Sequence, residues 1–275
     1  MRRAVPILLL VCLAACAQRP KGPPEDAALA LRIHAGDTAY DLERPEEAVV
    51  QYRAALERAR TRDDAAAIAD AGFNLGVAEL RAGHPQAAIA TAQEVQNELA
   101  RRGRSDPGLN LIVATALFRM DDLAAADRIA SGLTAGGNRQ LADSAWFLRG
   151  LIADMQGNRV LLQTAASSVS PASDPADAAE LKARLDRNAQ LALKAADLRR
   201  DDLDYRGMAR DLALAGQLTS DPNAAADLYL RAGQSAAGQG DRALAKVWLG
   251  KARDLTHDPA LRAIATAELQ SLGAR

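Results

Sequence analysis

The sequence has few cysteines, few aromatic residues and no excess charge of either sign. Only 2 of its 275 residues are Cys, and Phe, Trp and Tyr together make up 3%. Two cysteines cannot form the disulfide framework of a small secreted scaffold. The 34 Lys and Arg residues nearly balance the 35 Asp and Glu residues, which gives a formal net charge of −1. No global field therefore favours nucleic acid as a partner.

Alanine dominates what is present. It occurs 63 times in 275 residues, and 49% of the chain is hydrophobic. Alanine is the strongest helix former, and a chain of this length and apolar content can bury a substantial core. The composition therefore predicts an ordered, all-α protein.

The N-terminus has the organisation of an export signal. Arg2 and Arg3 supply positive charge, and an apolar run of about ten residues follows at 4–13. A membrane-spanning helix needs about 20 apolar residues, so this run is too short to span a bilayer. It indicates a cleaved signal peptide.

The apolar run ends in Leu13-Ala14-Ala15-Cys16, which resembles the lipobox of bacterial lipoproteins. The resemblance implies a signal peptide at 1–15 and makes Cys16 the lipidated first residue of the mature chain. Since Ala17 follows the cysteine, it also implies the periplasmic face of the outer membrane. The alternative is ordinary cleavage after Ala15-Cys16-Ala17, which would remove both cysteines. Residues 16–26 contain three prolines and are predicted to be an extended tether.

The rest of the chain repeats a spacing of small residues. A glycine is followed twelve residues later by an alanine at Gly36/Ala48, Gly76/Ala88 and Gly233/Ala245; Ala114/Ala126 keeps the spacing and Gly150/Leu162 is a degraded copy. Large residues flank these marks at intervals of four: Tyr52, Trp146, Tyr229 and Leu249. Together they resemble the tetratricopeptide repeat (TPR), in which small residues let paired helices approach closely.

This resemblance implies an all-α solenoid of about six TPR-like helix pairs. We expect repeats 1–4 at 27–170, and a degenerate repeat, a further repeat and a capping helix at 171–275. The degenerate unit lies between Asp177 and Ser220, and Pro259 begins the cap. The Ser- and Pro-rich stretch Ser167 to Pro175 is either a hinge or a long solvated turn. An irregular alanine-rich bundle remains the alternative fold.

No residue pattern indicates catalysis. His34, His84 and His257 have no neighbours at metal-ligand spacing, and Ser235 lies in a predicted helix and not after a strand. The acid pairs Asp63-Asp64, Asp121-Asp122 and Asp201-Asp202 are predicted at helix starts, and the basic clusters at 58–62 and 101–104 at solvated helix ends. We therefore predict no enzymatic activity, no metal and no cofactor.

The resemblance places a binding groove on the first helix of each pair. With the glycine mark at position eight, the groove positions five, twelve and thirteen are occupied by Tyr40, Phe73, Leu80, Arg81, Leu111, Phe118, Arg119 and Phe147. All three phenylalanines of the chain are included. They are either binding anchors or fillers between alanine-rich helices, and the two arginines could receive carboxylates.

The sequence thus predicts a lipid-anchored envelope protein that acts as a scaffold or adaptor for a protein or peptide partner, without nucleic acid or a small-molecule substrate. We expect this scaffold to act in the assembly of the cell envelope, of a pilus or of a secretion system. The alternatives are a regulator of a peptidoglycan enzyme and a self-associating envelope spacer.

Overall fold

The computed structural model describes residues 26–273, which form α-helices joined by short turns and contain no β-strand. The helices of this range are α1 (Ala27–Asp41), α2 (Pro45–Thr61), α3 (Ala65–Arg81), α4 (Pro85–Arg101), α5 (Pro107–Arg119), α6 (Leu123–Ser131), α7 (Arg139–Met155), α8 (Arg159–Ser168), α9 (Pro175–Asp186), α10 (Ala189–Asp201), α11 (Tyr205–Leu218), α12 (Pro222–Gly238), α13 (Arg242–Leu255) and α14 (Pro259–Gly273). The predicted signal peptide, Cys16 and nearly all of the tether lie outside the described residues.

Acidic and amide side chains begin most of these helices. Asp64 accepts hydrogen bonds from the backbone N–H groups of Ala66 and Ala67 at the start of α3, and Asp122 caps α6 in the same way. Such caps satisfy donors that have no partner within the helix. The prediction for the pair Asp201-Asp202 is wrong, because these residues end α10. Asp204 caps α11 instead.

The helices pack as antiparallel pairs in chain order. The pairs are α1/α2, α3/α4, α5/α6, α7/α8, α9/α10 and α12/α13, and α14 packs on the last pair. In each pair we call the first helix A and the second helix B. The predicted all-α solenoid of six TPR-like pairs with a capping helix is therefore confirmed. Helix α11 is an addition, because the region between Asp177 and Ser220 was predicted to hold one pair and holds three helices.

The array curves with the A helices on the inside. Helix α3 contacts α5, α5 contacts α7, and α7 contacts α9. Across residues 26–273, no comparable contact joins successive B helices. Since neighbours lie closer together on the concave side of a curved stack, the A helices form that side.

Glycines allow the close helix contacts that the repeat pattern predicted. A Cβ placed on Gly36 would lie 2.5 Å from Tyr52 Cε1, and one placed on Gly233 would lie 2.6 Å from Leu249 Cγ. Both partners belong to helix B of the same pair. The missing side chain therefore lets the large residue of helix B lie directly on the backbone of helix A.

The connection between α8 and α9 is a fixed turn. Val169 is 2% exposed, and Ser173 Oγ donates a hydrogen bond of 2.5 Å to Asp143 Oδ2 in α7. These contacts favour the predicted turn over the predicted hinge. Between residues 26 and 273, no helix has both the length and the apolar character needed to cross a membrane.

Candidate functional site

The A helices of the first three pairs present a continuous surface, which we call the inner face. Along α3, the residues Asp70, Asn74, Val77 and Arg81 follow one another at intervals of three or four, which places them on one side of the helix. The inner face consists of these residues with Phe73, of Leu29, Ile33 and Tyr40 from α1, and of Leu111, Phe118 and Arg119 from α5.

One end of the inner face is an apolar depression with acidic edges. Its volume is about 500 Å³, and its lining residues are Leu29, Ile33, Ala67, Asp70, Phe73, Asn74 and Asp106. The ring of Phe73 lies on the first turn of α5, where a Cβ on Gly108 would be 3.1 Å from Phe73 Cε2. Burial and the negative charges of Asp106 and Asp64 raise the pKa of Asp70. This end therefore favours apolar groups and does not favour anions.

The other end of the inner face is basic. Arg81 lies over the ring of Tyr40, with 4.4 Å between its Cζ and the ring centroid, and its Nη1 donates to the Tyr40 hydroxyl at 3.0 Å. Arg81 also forms an ion pair with Glu43 in the turn between α1 and α2. These contacts fix the guanidinium of Arg81 against the first pair.

Helix α11 returns to this basic end from far along the chain. Arg206 Nε donates to Glu43 Oε2 at 2.9 Å, and Arg206 Nη2 lies 3.4 Å from the Gln239 carbonyl oxygen. Glu43 therefore receives two guanidiniums, from Arg81 and Arg206. The curved array is closed at this edge by a contact between its first and its last parts.

Two further arginines at this end have no carboxylate partner among the described residues. Arg119 on α5 donates to the Leu80 carbonyl oxygen, and Arg210 lies one turn after Arg206 on α11. Both side chains reach solvent. Burial and the positive charges of Arg210 and Arg206 lower the pKa of Arg119, which shows that like charges face one another here.

A buried ionic cluster lies between α9, α10 and α11. It is formed by Asp177, Glu180, Arg199 and Asp211. The Arg199 guanidinium lies 2.7 Å from Asp177 Oδ1, 2.9 Å from Glu180 Oε2 and 2.7 Å from Asp211 Oδ2. It also lies 3.3 Å from Asp204 Oδ2 at the start of α11. One arginine thereby joins α9, α10 and α11, and this explains how three helices pack where one pair was predicted.

Burial dominates the electrostatics of this cluster. It raises the pKa of Asp177 to about 7, and burial together with the charge of Glu180 raises the pKa of Asp211 to about 8. Burial alone would raise the pKa of Glu180, but Arg184, Arg199 and Arg210 together lower it. Glu180 therefore keeps its negative charge, whereas Asp211 holds its proton more tightly than an ordinary aspartic acid does.

The structure brings some of the predicted groove residues together and separates others. Tyr40, Arg81 and Arg119 lie at the basic end, and Phe73 lines the depression. Leu111 and Phe118 are half-buried beside the core residues of α5 and α7. The prediction for Leu80 is wrong, because this side chain is 5% exposed and belongs to the core.

Phe147 lies apart from the other predicted residues. It is half-buried on α7, and its ring centroid is 5.8 Å from Arg199 Cζ. Sequence reasoning missed Glu43, Arg206 and Arg210 altogether. The sequence offered one signal, which is the type of residue at this turn. The corresponding turn residue of the next three pairs is a glycine or an aspartate, residues that tolerate a positive φ, whereas the first pair has Glu43 there. The residues of the next three pairs are Gly83, Asp121 and Gly157.

The residues that were weighed for catalysis lie in unremarkable surroundings. His34, His84 and His257 are exposed, and residues 26–273 contain no group of His, Cys, Asp and Glu arranged to hold a metal ion.

The basic cluster at 58–62 is not solvated as predicted. The side chain of Arg60 is 22% exposed and pairs with Glu98, and that of Arg62 is 20% exposed and pairs with Asp26.

Comparison with known proteins yields structural similarity only. The sequence matches no protein-family model and no curated protein. Solved structures of similar fold include a tetratricopeptide-repeat protein from Parabacteroides merdae (15% identity, 90% of this chain and 100% of that chain, TM-score 0.47). They also include the TPR2AB domain of yeast Sti1 in complex with pHSP90 (16% identity, 89% and 96%, TM-score 0.38) and BtubC from P. vanneervenii (15% identity, 84% and 91%, TM-score 0.35).

Proposed function

We propose that this protein is a lipid-anchored scaffold of a bacterial cell envelope that holds a protein or peptide partner on its inner face. The observation that carries the proposal is the depression between α1, α3 and α5, where Leu29, Ile33 and Phe73 remain partly accessible. Partly exposed apolar and aromatic side chains in a concavity are favoured anchors for a protein partner.

The architecture supports recognition as the activity. The helical pairs form a curved surface whose core is closed by alanine and leucine, and curved helical arrays use their concave side for extended contacts. The lipobox-like sequence ending at Cys16 supports the anchor. Each buried CH₂ of an acyl chain contributes about 0.8 kcal/mol, so two or three chains would hold the protein firmly on a bilayer.

The binding half of the proposal is tested by capture of a partner. Crosslinked complexes from solubilised membranes are compared between the native chain, the double variant Phe73→Ala with Leu111→Ala, and the control Val160→Ala with Val247→Ala. The control residues are exposed on α8 and α13. We expect the double variant alone to lose the partner while keeping its helicity. Equal recovery by all three proteins, or a particle that grows with concentration and has no partner, would contradict the scaffold.

The anchor half is tested by fractionation of cells. Cys16→Ala should release the protein from the membrane pellet, whereas Cys12→Ala, within the predicted signal peptide, should leave it there. A Cys16→Ala protein that stays in the pellet would show that the anchor assignment is wrong.

A further inference from the structure

The arginine-rich end of the inner face assigns a chemistry to the partner. We propose that Arg119 and Arg210 form a binding site for acidic side chains of a peptide segment that lies along the inner face. This inference rests on the proposed function and adds the class of ligand, its direction and the residues that select it.

The charges at this end are unequally neutralised. Glu43 accepts from Arg81 and from Arg206 and holds both guanidiniums in place. Within residues 26–273, no carboxylate oxygen lies within 4.0 Å of Arg119 or Arg210. Two positive charges on different helices, Arg119 on α5 and Arg210 on α11, therefore face the same space without an ion pair. Arg119 donates only to the Leu80 carbonyl oxygen, and Arg210 contributes to the field that lowers the pKa of Glu180 without contacting that carboxylate. A guanidinium presents several N–H donors in a plane and is suited to binding a carboxylate.

The position of α11 makes this a site and not a scatter of surface arginines. The Arg206–Glu43 ion pair holds the start of α11 at the first pair, and the buried Arg199 ties the same helix to α9 and α10 through Asp211 and Asp177. The backbone that bears Arg210 is thus fixed from both sides. Since the helix is already in place, binding of a ligand has to order only the Arg210 side chain and not the backbone, which reduces the entropy cost of binding.

The opposite end of the inner face sets the direction of the segment. Asp70 lies at that end and Arg81 at the basic end of the same helix. Eleven residues of α-helix separate them by about 16 Å, at about 1.5 Å per residue. An extended peptide covers this distance with about five residues. Its apolar residues would occupy the depression at Phe73 and its acidic residues would reach Arg119 and Arg210.

The test is fluorescence anisotropy with the full chain in detergent. The probe is an amidated ten-residue peptide in which a Leu-Phe pair is followed, four residues later, by Glu-Glu, and the reference peptide carries Gln-Gln instead. We expect the acidic peptide to bind about tenfold more tightly, as a charge-assisted hydrogen bond implies. Arg119→Gln and Arg210→Gln should each remove this preference. Arg128→Gln, an exposed residue of α6, should keep it.

The inference would be overturned by equal affinity for the two peptides, by a preference that survives in both Arg119→Gln and Arg210→Gln, or by a lack of binding of the acidic peptide by the native chain. In the first two cases, Phe73→Ala with Leu111→Ala distinguishes the claims: if it abolishes binding, the inner face still binds peptides and only the acidic preference fails. Competition by inorganic phosphate without any dependence on Glu-Glu would show a general anion site and would also contradict the proposal.

Discussion

Arg206 and Glu43 form an ion pair of 2.9 Å although 163 residues of the chain separate them. Glu43 lies in the connection between α1 and α2, and Arg206 lies in the first helical turn of α11. The same carboxylate also binds Arg81. This contact joins the beginning of the solenoid to its last third and positions α11 beside the inner face.

The backbone at Glu43 provides a way to measure this contact. Glu43 has φ 57 and Asp121, at the equivalent turn of the third pair, has φ 64. A side chain in the left-handed region costs about 1–2 kcal/mol, a cost that glycine avoids. Asp121→Gly should therefore raise the unfolding free energy by about 1 kcal/mol. Glu43→Gly should lower it, because two arginines lose their partner. Denaturant unfolding of both variants measures the difference, and equal stabilisation by both would mean that the Arg206–Glu43 contact contributes nothing.

Arg199 and Arg200 are neighbours in the sequence, but their replacement is expected to change the unfolding free energy by very different amounts. Replacing Arg199 with Met leaves the buried carboxyls of Asp177, Glu180 and Asp211 without their common partner. We expect a loss of about 3–5 kcal/mol in unfolding free energy. Arg200→Met removes only exposed ion pairs with Asp197 and Asp201, for which the expected change is about 0.5 kcal/mol or less. Similar losses for the two variants in urea unfolding would show that the cluster has no special role.

The raised pKa of Asp211 predicts a dependence of stability on pH. The pKa is about 8 in the folded chain and 3.8 ordinarily, so the folded state binds more protons between these values. The unfolding free energy should therefore fall as the pH rises from about 5 to about 9, in addition to the effects of other groups. Asp211→Asn, which replaces the protonated carboxyl with another donor, should reduce this slope. Asp227→Asn, an exposed residue of α12, should leave it unchanged. A slope that is the same in all three proteins would refute a protonated Asp211.

Two glycines test the close approach of paired helices. A Cβ on Gly233 would lie 2.6 Å from Leu249 Cγ and 3.1 Å from the Leu249 backbone nitrogen, whereas one on Gly250 would meet nothing within 4 Å. Gly233→Ala should lower the melting temperature because the two helices are forced apart. Gly250→Ala, inside α13, should raise the unfolding free energy by about 0.5–1 kcal/mol. An increase in stability for Gly233→Ala would contradict the packing described at this contact.

Local signals predicted the repeats and most of the turns. The glycine and alanine marks identified contacts such as Gly36 with Tyr52, because close approach requires a small residue wherever it occurs. The cap at Asp64 was recognisable because an aspartate that precedes a helix is a preferred N-cap residue. Helix α11 was not predicted, because its packing depends on Arg199 and on the distant Glu43. The first contact joins Arg199 to Asp211 12 positions away, the second joins Arg206 to Glu43 163 positions away, and neither has a signature in the repeat pattern.

The candidate site was predicted to the extent that helical spacing determines it. The repeat spacing put Arg81 and Arg119 at equivalent positions of successive A helices, and both lie in the last turn of their helix; their role in a groove stays a prediction. Leu80, the residue before Arg81, was placed on the surface although it points into the core. A shift of one residue rotates the direction of a side chain by about 100°, so such a prediction is sensitive to the register.

Site-specific photocrosslinking in cells measures whether a protein partner occupies the inner face. A photoreactive amino acid is placed at Asn74 or Leu111 on the inner face. In the control proteins it is placed at Val160 or Val247, which are exposed on the B helices α8 and α13. We expect a defined crosslinked protein from the first two positions, lost when Phe73→Ala is added, and none from the second two. Crosslinks that arise only from Val160 or Val247 would place the partner on the outer surface and would show that the inner face does not hold it.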